Sequence, residues 1–310
     1  MENNVLLGDI GGTHSRFALL GDDGQPTDAR AYQNDDFASL QEVMAAHLKA
    51  TGAVPREAVL AFASAVTGAE IALTNRDWTF RLDDLKAQFG LARLRAVNDF
   101  EAQAWALPVL GDDDVKHIGG PIDMPHGPKI VLGPGTGLGL AALIPCDGDW
   151  FAVATEAGHV SFGPVHEDEE EVFARLRQSS PLKVEAVLSG PGLQRLHLAR
   201  HPGAPFLAAA AIVAAARSGE TQARETTQLF VRLLGRFAGD MALVFKATGG
   251  VYVTGGVAQG LGDDFDIAIF REAFEAHPPY ADLLAKVATK LITRRQPGLL
   301  GCAALARRGM

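Results

Sequence analysis

The chain contains very little cysteine. Two cysteines, Cys146 and Cys302, occur in 310 residues, and they are far apart in the sequence. So few thiols support neither a disulfide framework nor a cysteine-based zinc site, and they suit a reducing compartment. Hydrophobic residues make up 47% of the chain and charged residues 21%, a composition typical of a soluble globular protein.

Positive charge is also scarce. With 28 lysines and arginines against 37 aspartates and glutamates, the formal net charge is −9. A chain with this charge is a poor partner for nucleic acid or for an anionic membrane surface. A local cationic pocket for a small anionic ligand remains compatible with the overall charge.

Long hydrophobic runs are missing as well. The most apolar stretch, Phe206–Ala216, is rich in alanine and shorter than the roughly 20 residues that a membrane-spanning helix needs. We therefore expect a buried, closely packed helix there. The first residues carry neither a basic segment nor an apolar core of the kind found in signal peptides, so we expect a cytoplasmic protein.

The most informative feature that is present is the stretch Gly8–Thr13. Apolar runs precede and follow it, which predicts two strands joined by a tight turn. Gly11 and Gly12 allow the backbone to approach a ligand and to present N–H groups, and Thr13 adds a hydroxyl donor. Asp9 would repel a phosphate, so its position indicates a divalent cation between the carboxylate and the phosphates.

A second turn of the same kind follows strand 129–132. Gly135, Thr136 and Gly137 lie between two apolar runs, again as strand, glycine turn and strand. A Rossmann turn would open a helix here, and a Walker loop needs a Gly-Lys pair, which the chain lacks. An ordinary hairpin would explain the second turn alone. Together the two turns predict a site that holds a polyphosphate from both sides.

Asn98 and Asp99 lie where a buried strand meets a helix. A carboxylate held at such a junction suits a general base for a substrate hydroxyl. Aspartate at the same junction is equally suited to a helix N-cap, and the spacing leaves both interpretations open.

Glu156 and His159 lie three residues apart in a glycine-bearing segment, and Glu185 precedes a strong turn signal. A carboxylate that accepts and an imidazole that donates or accepts can together bind neighbouring hydroxyls. A metal site is disfavoured because no third ligand lies nearby in the sequence. An exposed loop without a function remains the alternative.

Strands and helices alternate in two cycles, which predicts two α/β lobes with a cleft between them. A segment rich in Gly, Pro and Asp separates the cycles at 111–128. We predict a small lobe of residues 1–110, a large lobe of residues 111–296, and a C-terminal helix, 297–310, that returns to the small lobe. The predicted helices include 38–49, with His47 on its apolar face, 82–89, 101–107 and 221–246.

The ordered set of motifs resembles the bacterial glucokinases of the ATP-dependent, non-ROK type. The resemblance covers nearly the whole chain, and its motifs are Gly8–Thr13, Leu73-Thr74-Asn75 with Trp78, Asn98–Phe100, Gly135–Gly139, Glu156 with Gly158 and His159, Glu185 with Leu188–Gly192, Gly255-Gly256, and Pro297–Gly301. It implies the two-lobed, ribonuclease-H-like α/β fold of actin and hexokinase, with a central cleft.

The resemblance also implies a role for each matching residue. Asp9 would help to hold Mg²⁺, and Asp99 would be the catalytic base. Glucose hydroxyls would be held by Asn98, Asp99, Glu156, His159 and Glu185. ATP would be bound by Asp9, by Gly11, Gly12 and Thr13, by Gly135, Thr136 and Gly137, and by Gly255 and Gly256. The implied partners are glucose and ATP, in a homodimer.

The resulting prediction is an enzyme that phosphorylates D-glucose at the 6-hydroxyl with ATP. Three alternatives remain. The scaffold suits a kinase for another hexose or an amino sugar. A non-catalytic sugar-sensing regulator is disfavoured, since no basic helix–turn–helix precedes Asp9. An ATP switch of the actin or Hsp70 kind would not need the set of Glu156, His159 and Glu185.

Overall fold

The computed structural model describes residues 5–73, 76–177 and 182–309. Thr74 and Asn75, which belong to one motif of the resemblance, lie outside the described residues. The chain divides into two compact units. Unit 1 comprises Met1–Gly111 and Arg294–Met310, and unit 2 comprises Asp112–Thr293.

Unit 1 is built on a mixed sheet. Its described strands are β1 (Val5–Ile10), β2 (His14–Leu20), β3 (Pro26–Gln33), β4 (Glu57–Phe62), β5 (Glu70–Ala72), β6 (Thr79–Arg81) and β7 (Arg93–Asn98). The main sheet has the order β3-β2-β1-β4-β7, while β5 and β6 form a separate antiparallel pair. Strands β1, β4 and β7 run parallel, with Ile10 beside Phe62 and Phe62 beside Asn98. Their carboxyl ends therefore meet at one edge of the sheet.

The helices of unit 1 cover this sheet. They are α1 (Leu40–Thr51), α2 (Leu82–Gln88), α3 (Asp99–Ala106) and α11 (Pro297–Arg307). The C-terminal helix α11 packs on α3 and on β1. The thiol of Cys302 on α11 is buried and donates a hydrogen bond to the carbonyl oxygen of Gly8 at 3.4 Å. Cys146 and Cys302 are both free thiols, as their spacing predicted.

The contact between α11 and α3 requires a residue without a side chain at Gly301. A Cβ built there would overlap the backbone carbonyl of Ala102 on α3. Because a backbone carbonyl cannot move aside as a flexible side chain can, an added methyl group would push the two helices apart. Gly301, which belongs to the motif Pro297–Gly301, thus has a packing role.

We expect Gly301→Ala to lower the free energy of unfolding by about 2 kcal/mol or more, because overpacking a tight core contact typically costs 1–3 kcal/mol. Gly260→Ala is the matched control. It changes a glycine of the helix Gly256–Leu261 around which a Cβ would meet nothing within 4 Å. There alanine should be neutral or stabilising by up to about 1 kcal/mol. Urea unfolding of both variants measures the difference, and equal stabilities would contradict this account.

Unit 2 is built on a second mixed sheet. Its described strands are β8 (Val115–His117), β9 (Lys129–Pro134), β10 (Leu138–Cys146), β11 (Asp149–Thr155), β12 (Val251–Val253) and β13 (Thr289–Ile292). Their order is β11-β10-β9-β12-β13-β8. The described helices are α4 (Glu167–Leu176), α5 (Gly190–Arg200), α6 (Ala209–Arg217), α7 (Thr221–Val244), α8 (Gly256–Leu261), α9 (Ile267–Glu275) and α10 (Ala281–Leu284).

The two units repeat one arrangement. In each, a strand turns through a glycine-rich segment into an antiparallel partner, β1 into β2 and β9 into β10. In each, the first of these strands also pairs in parallel with a later strand, β1 with β4 and β9 with β12. The predicted strand–turn–strand pattern is therefore present in both units.

The alanine-rich stretch is only partly as expected. Helix α6 begins at Ala209, and Phe206 lies before it with 70% of its surface exposed. The prediction of one buried helix from Phe206 was wrong at this end, because Ala208 takes an extended conformation just before the helix. Among the helices of the described ranges, none has the length and apolar character that crossing a membrane requires.

His47 is a buried titratable group in unit 1. It faces the core from α1, as its position on the apolar face predicted, and its Nδ1 lies 3.2 Å from the hydroxyl of Tyr32. Within the described part of the chain, its Nε2 has no hydrogen-bond partner. The pKa of His47 is lowered from 6.5 to about 4, mainly by burial and also by the charge of Arg30, while Asp28 opposes the shift. Folding therefore keeps this imidazole neutral.

The stability of the protein should fall as the pH drops from about 7 to 5. In that window the unfolded chain binds a proton at position 47 near pH 6.5, whereas the folded chain takes it up only near pH 4. Linkage then removes about 2 kcal/mol of stability between pH 7 and 5. Urea unfolding at both pH values should show this loss in the wild type and a much smaller loss in His47→Gln. Equal losses in the two proteins would rule out His47 as the source.

Candidate active site

The first glycine turn is held by a buried asparagine. The Nδ2 group of Asn34 donates to the carbonyls of Gly11 and Gly12 at 2.8 and 3.1 Å, and its Oδ1 accepts from the Ser15 hydroxyl at 2.8 Å. The backbone N–H of Asn34 donates to the carbonyl of Thr13. These bonds fix the carbonyl groups of the turn.

Asn34 was not predicted from the sequence. It lies 22 residues beyond Gly12, and nothing in the local pattern around it signals a contact with the turn.

The N–H groups of Gly11 and Gly12 were predicted to face a ligand, and the structure differs for Gly11. The N–H of Gly11 donates to the carbonyl of His14 at 3.0 Å, so this group is engaged within the turn itself. Thr13 is exposed, as a hydroxyl that meets a ligand must be.

Asp9 lies close to the end of β1 with 20% of its side chain exposed. Its Oδ2 is 3.7 Å from Nη1 of Arg16, the residue directly opposite it on β2. Burial raises the pKa of Asp9, and the charge of Arg16 opposes that shift. A Cβ built at Gly298 would lie 3.1 Å from Cγ of Asp9, so the first turn of α11 contacts the carboxylate. The partial positive charge of a helix N-terminus favours the ionised form.

Asn98 and Asp99 share the junction of β7 and α3. The N-cap is Asn98, whose Oδ1 accepts from the N–H groups of Phe100 and Glu101 at 2.9 and 3.2 Å. Asp99 is the first residue of the helix and accepts from the N–H of Phe100 at 2.9 Å. The alternative interpretation of Asp99 as the N-cap is therefore wrong. Nδ2 of Asn98 also donates to the carbonyl of Ser64 at 3.2 Å, which leaves its second N–H for a ligand.

The edge of the sheet brings Asp9 and Asp99 into one region of unit 1. Both lie at the carboxyl ends of parallel strands, β1 and β7, with β4 between them. Two strand spacings amount to roughly 10 Å. A glycine turn of the phosphate-binding type, with a carboxylate beside it, and a candidate base at this separation suit a reaction on a polyphosphate.

The second glycine turn is held by the segment that contains Glu185. The N–H of Gly190 donates to the carbonyl of Gly135 at 2.8 Å, and the N–H of Leu138 donates to Oε2 of Glu185 at 3.0 Å. A Cβ at Gly137 would overlap this same carboxylate oxygen. Thr136 is exposed at the tip of the turn.

The third glycine turn adjoins the second. Gly255 follows β12 with a φ of +90°, a conformation that favours glycine, and Gly256 begins α8. A Cβ at Gly255 would lie 2.5 Å from the carbonyl oxygen of Pro134, the last residue of β9. Unit 2 therefore brings Gly135–Gly137 and Gly255–Gly256 together, as a site that holds both the phosphates and the adenosine of one nucleotide would require.

His159 ends a short helical turn, 157–159, and Glu156 directly precedes it, next to the segment of Glu185. Nε2 of His159 is 3.9 Å from Oε2 of Glu156, and the side chains are 46% and 64% exposed, respectively. The N–H of Val184 donates to the carbonyl of Val160, which joins the two segments. The segments that carry Glu156, His159 and Glu185 are therefore adjacent in unit 2, with the first two side chains exposed and Glu185 partly exposed.

Lys183 is a neighbour of this group that was not predicted. Its Nζ lies 3.4 Å from Nδ1 of His159. Because an ammonium group can only donate, this contact favours the tautomer of His159 in which Nδ1 accepts and Nε2 carries the proton. His159 is thereby prepared to donate from Nε2 toward Glu156 or toward a ligand hydroxyl.

The residues present fit a magnesium ion that arrives with a nucleotide. In the described residues, no group of three or more His, Cys, Asp or Glu side chains could hold a metal alone. Mg²⁺ commonly keeps several waters and binds one or two carboxylates together with substrate phosphates. The partly exposed carboxylate of Asp9, beside a phosphate-type turn, is a donor of this kind.

The solved structures with the same fold include sugar kinases. A glucokinase from an Antarctic psychrotroph matches with a TM-score of 0.87 and 29% identity, over 100% of both chains. A glucokinase from Balamuthia mandrillaris in complex with glucose matches with a TM-score of 0.83 and 20% identity, over 98% of this chain and 93% of the other. The predicted ribonuclease-H-like α/β fold of the hexokinase class is confirmed.

Sequence comparison narrows the class to one family. The profile of the glucokinase family matches residues 6–309. The glucokinase of Chelativorans sp. strain BNC1 is 40% identical over 311 residues, covering 98% of this chain and 91% of its own length. That of Yersinia pestis strain Pestoides F is 38% identical over 316 residues, covering 99% and 97%. The chain belongs to the glucokinase family, which confirms the predicted enzyme and its use of ATP to phosphorylate glucose.

Proposed function

We propose that the chain transfers the γ-phosphoryl group of ATP to the 6-hydroxyl of D-glucose, giving glucose 6-phosphate and ADP, through the residues described above. One observation carries this assignment of roles. The second glycine turn, of the type that binds phosphate, is hydrogen-bonded directly to Glu185, a carboxylate suited to a sugar hydroxyl. This hydrogen bond places a candidate sugar-binding carboxylate directly beside the turn assigned to the phosphates, as transfer of a phosphoryl group to a sugar requires.

Asp99 acts as the general base. It accepts the proton of the 6-hydroxyl as the hydroxyl oxygen bonds to the γ-phosphorus and the bond to the β–γ bridging oxygen breaks. ADP leaves with the electron pair of that bond. The different contacts of the two residues at the junction support this role. Asn98 provides the N-cap, and Asp99 is held by the N–H of Phe100 at the helix start.

The glycine turns hold the phosphates. Backbone N–H groups and the hydroxyls of Thr13 and Thr136 donate to phosphate oxygens, and Gly255 and Gly256 pack on the adenosine side. Asp9 would hold Mg²⁺, which supplies charge neutralisation at the β- and γ-phosphates when it is bound with ATP. Fixed donors of this kind are the usual largest contribution to phosphoryl transfer.

Glu156, His159, Glu185 and the second N–H of Asn98 bind the sugar hydroxyls. Buried hydroxyls need paired donors and acceptors, which carboxylates, an imidazole with its proton on Nε2, and an amide provide. A site built from such groups discriminates strongly against analogues that lack a hydroxyl. This argument favours a sugar over an apolar ligand.

Further proposals rest on the family and on the composition. We propose a glucokinase of the non-ROK type, since the match to the psychrotroph glucokinase has a TM-score of 0.87, against 0.67 for a ROK glucokinase from Streptomyces griseus in complex with glucose and AMPPNP. We also propose functional lobes 1–110 with 297–310 and 111–296, a homodimer, a cytoplasmic location and a role in glycolysis. With a net charge of −9, neither nucleic acid nor a membrane is proposed as a partner.

Asp99→Asn should retain the fold and glucose binding but lower kcat by about 10²–10⁴, the typical effect of removing a general base. The amide keeps the shape of the carboxylate and cannot take the proton. Glu101→Gln, on the same first turn of α3, is the matched control and should keep kcat close to wild type. Coupled assays of ADP release measure both variants. A near-normal kcat in Asp99→Asn would remove Asp99 from the role of base.

Asp9→Asn should raise the Mg²⁺ concentration needed for half-maximal activity and lower kcat by about 10²-fold, as loss of a transition-state electrostatic group does. Glucose affinity, measured by calorimetry, should stay unchanged, because Asp9 is not assigned to the sugar. Asp36→Asn, an exposed carboxylate of unit 1, serves as the control. Full activity of the wild type in excess EDTA would contradict the metal role altogether.

A further inference from the structure

Glu185 contacts a part of the protein that its assigned role does not explain. It lies in a short helical turn, 184–186, where its carbonyl accepts from the Ser189 hydroxyl at 2.8 Å. Its side chain extends to the second glycine turn and accepts from the N–H of Leu138 at 3.0 Å. A residue needed only for a sugar hydroxyl would not have to bind the backbone of a phosphate turn.

The segment that contains Glu185 contacts the second glycine turn at more than one point. A Cβ at Gly137 would overlap Oε2 of Glu185, so the backbone of the turn packs directly on the carboxylate. At the other end of the same turn, the carbonyl of Gly135 accepts from the N–H of Gly190 at 2.8 Å. The segment 185–190 therefore binds both ends of the second glycine turn.

We propose that Glu185 is a positioning residue for the second glycine turn and couples the binding of glucose to the binding of the nucleotide. The inference rests on the proposed function, which assigns Glu185 to the sugar and Gly135–Gly137 to the phosphates. A carboxylate has two oxygens, so Oε2 can hold Leu138 while Oε1 accepts a sugar hydroxyl. A bound sugar then fixes the carboxylate, and the turn loses less conformational freedom when the nucleotide binds.

Glu156 provides the contrast. It is also assigned to the sugar, but it is 64% exposed, and the contact that the structure gives its side chain is with His159, at 3.9 Å. If removing the charge of a sugar-binding carboxylate were enough to weaken nucleotide binding, substitutions of Glu156 and of Glu185 would have the same effect. If the hydrogen bond to Leu138 matters, they will differ.

The first experiment measures ADP affinity by isothermal titration calorimetry in the presence of Mg²⁺ and without sugar. Glu185→Ala should weaken ADP binding by about 3- to 10-fold, the range expected for one lost hydrogen bond. Glu185→Gln should rescue it to within about 2-fold, since the amide oxygen still accepts from Leu138. Glu156→Ala should leave ADP affinity at the wild-type value while weakening glucose binding.

The second experiment repeats the ADP titrations at saturating glucose. Glucose should increase the ADP affinity of the wild type and of Glu156→Ala by at least about 5-fold, the lower end of typical coupling. In Glu185→Ala this increase should disappear. Wild-type ADP affinity together with an undiminished glucose effect in Glu185→Ala would overturn the inference and leave the proposed function intact. Failure of the wild type to bind ADP or glucose at all would overturn the proposed function itself.

A variant that keeps Glu185 tests the same contact independently of the loss of its charge. Gly137→Ala should displace the carboxylate from the turn and so weaken glucose binding several-fold in the absence of nucleotide. Gly260→Ala is its control, because a Cβ there would meet nothing within 4 Å and Gly260 is assigned to neither ligand, so glucose affinity should be unchanged. Unchanged glucose affinity in Gly137→Ala would also overturn the inference.

Discussion

A turn made of glycine has no side chains to hold its shape, and the site depends on how the rest of each unit supplies that support. Glycine loses more conformational freedom on folding than any other residue, so a glycine turn keeps one conformation only where other groups bind it. In unit 1, the amide of Asn34 binds two carbonyls of the turn. In unit 2, Gly190 and Glu185 bind its two ends. In both cases the bracing group comes from outside the motif.

Burial and nearby positive charge have opposite effects on the pKa of Asp9. Burial raises its pKa, which favours the neutral acid, whereas a metal ligand must be ionised. The charge of Arg16 and the first turn of α11 act in the other direction. Because α11 is the C-terminal helix, the chemistry of Asp9 depends on residues 297–307, at the other end of the sequence. The close packing of Gly301 on α3 therefore positions the helix and, through it, the surroundings of Asp9.

Neighbouring residues divide structural and chemical tasks. At the start of α3, Asn98 caps the helix and Asp99 follows it, so adjacent positions provide the cap and the candidate base. In unit 2, Lys183 contacts Nδ1 of His159 and favours one tautomer of the ring, while Glu185 binds the second glycine turn and, as proposed, the sugar. Such arrangements place reactive groups on the rigid ends of helices and strands, where their geometry costs little further ordering.

The sequence by itself determined the local elements and the identity of the motifs. The predicted helices 38–49, 82–89 and 101–107 correspond to α1, α2 and α3 with shifts of one to two residues at most of their ends, because apolar residues at helical spacing and Gly or Pro boundaries are local signals. The tertiary structure alone decided the partners: Asn34 for the first turn, Lys183 for His159, Arg16 and Gly298 for Asp9, and Leu138 for Glu185. These contacts join residues up to 289 positions apart, as Asp9 and Gly298 are. No local pattern encodes such a pairing, since it arises only when the strands and helices pack.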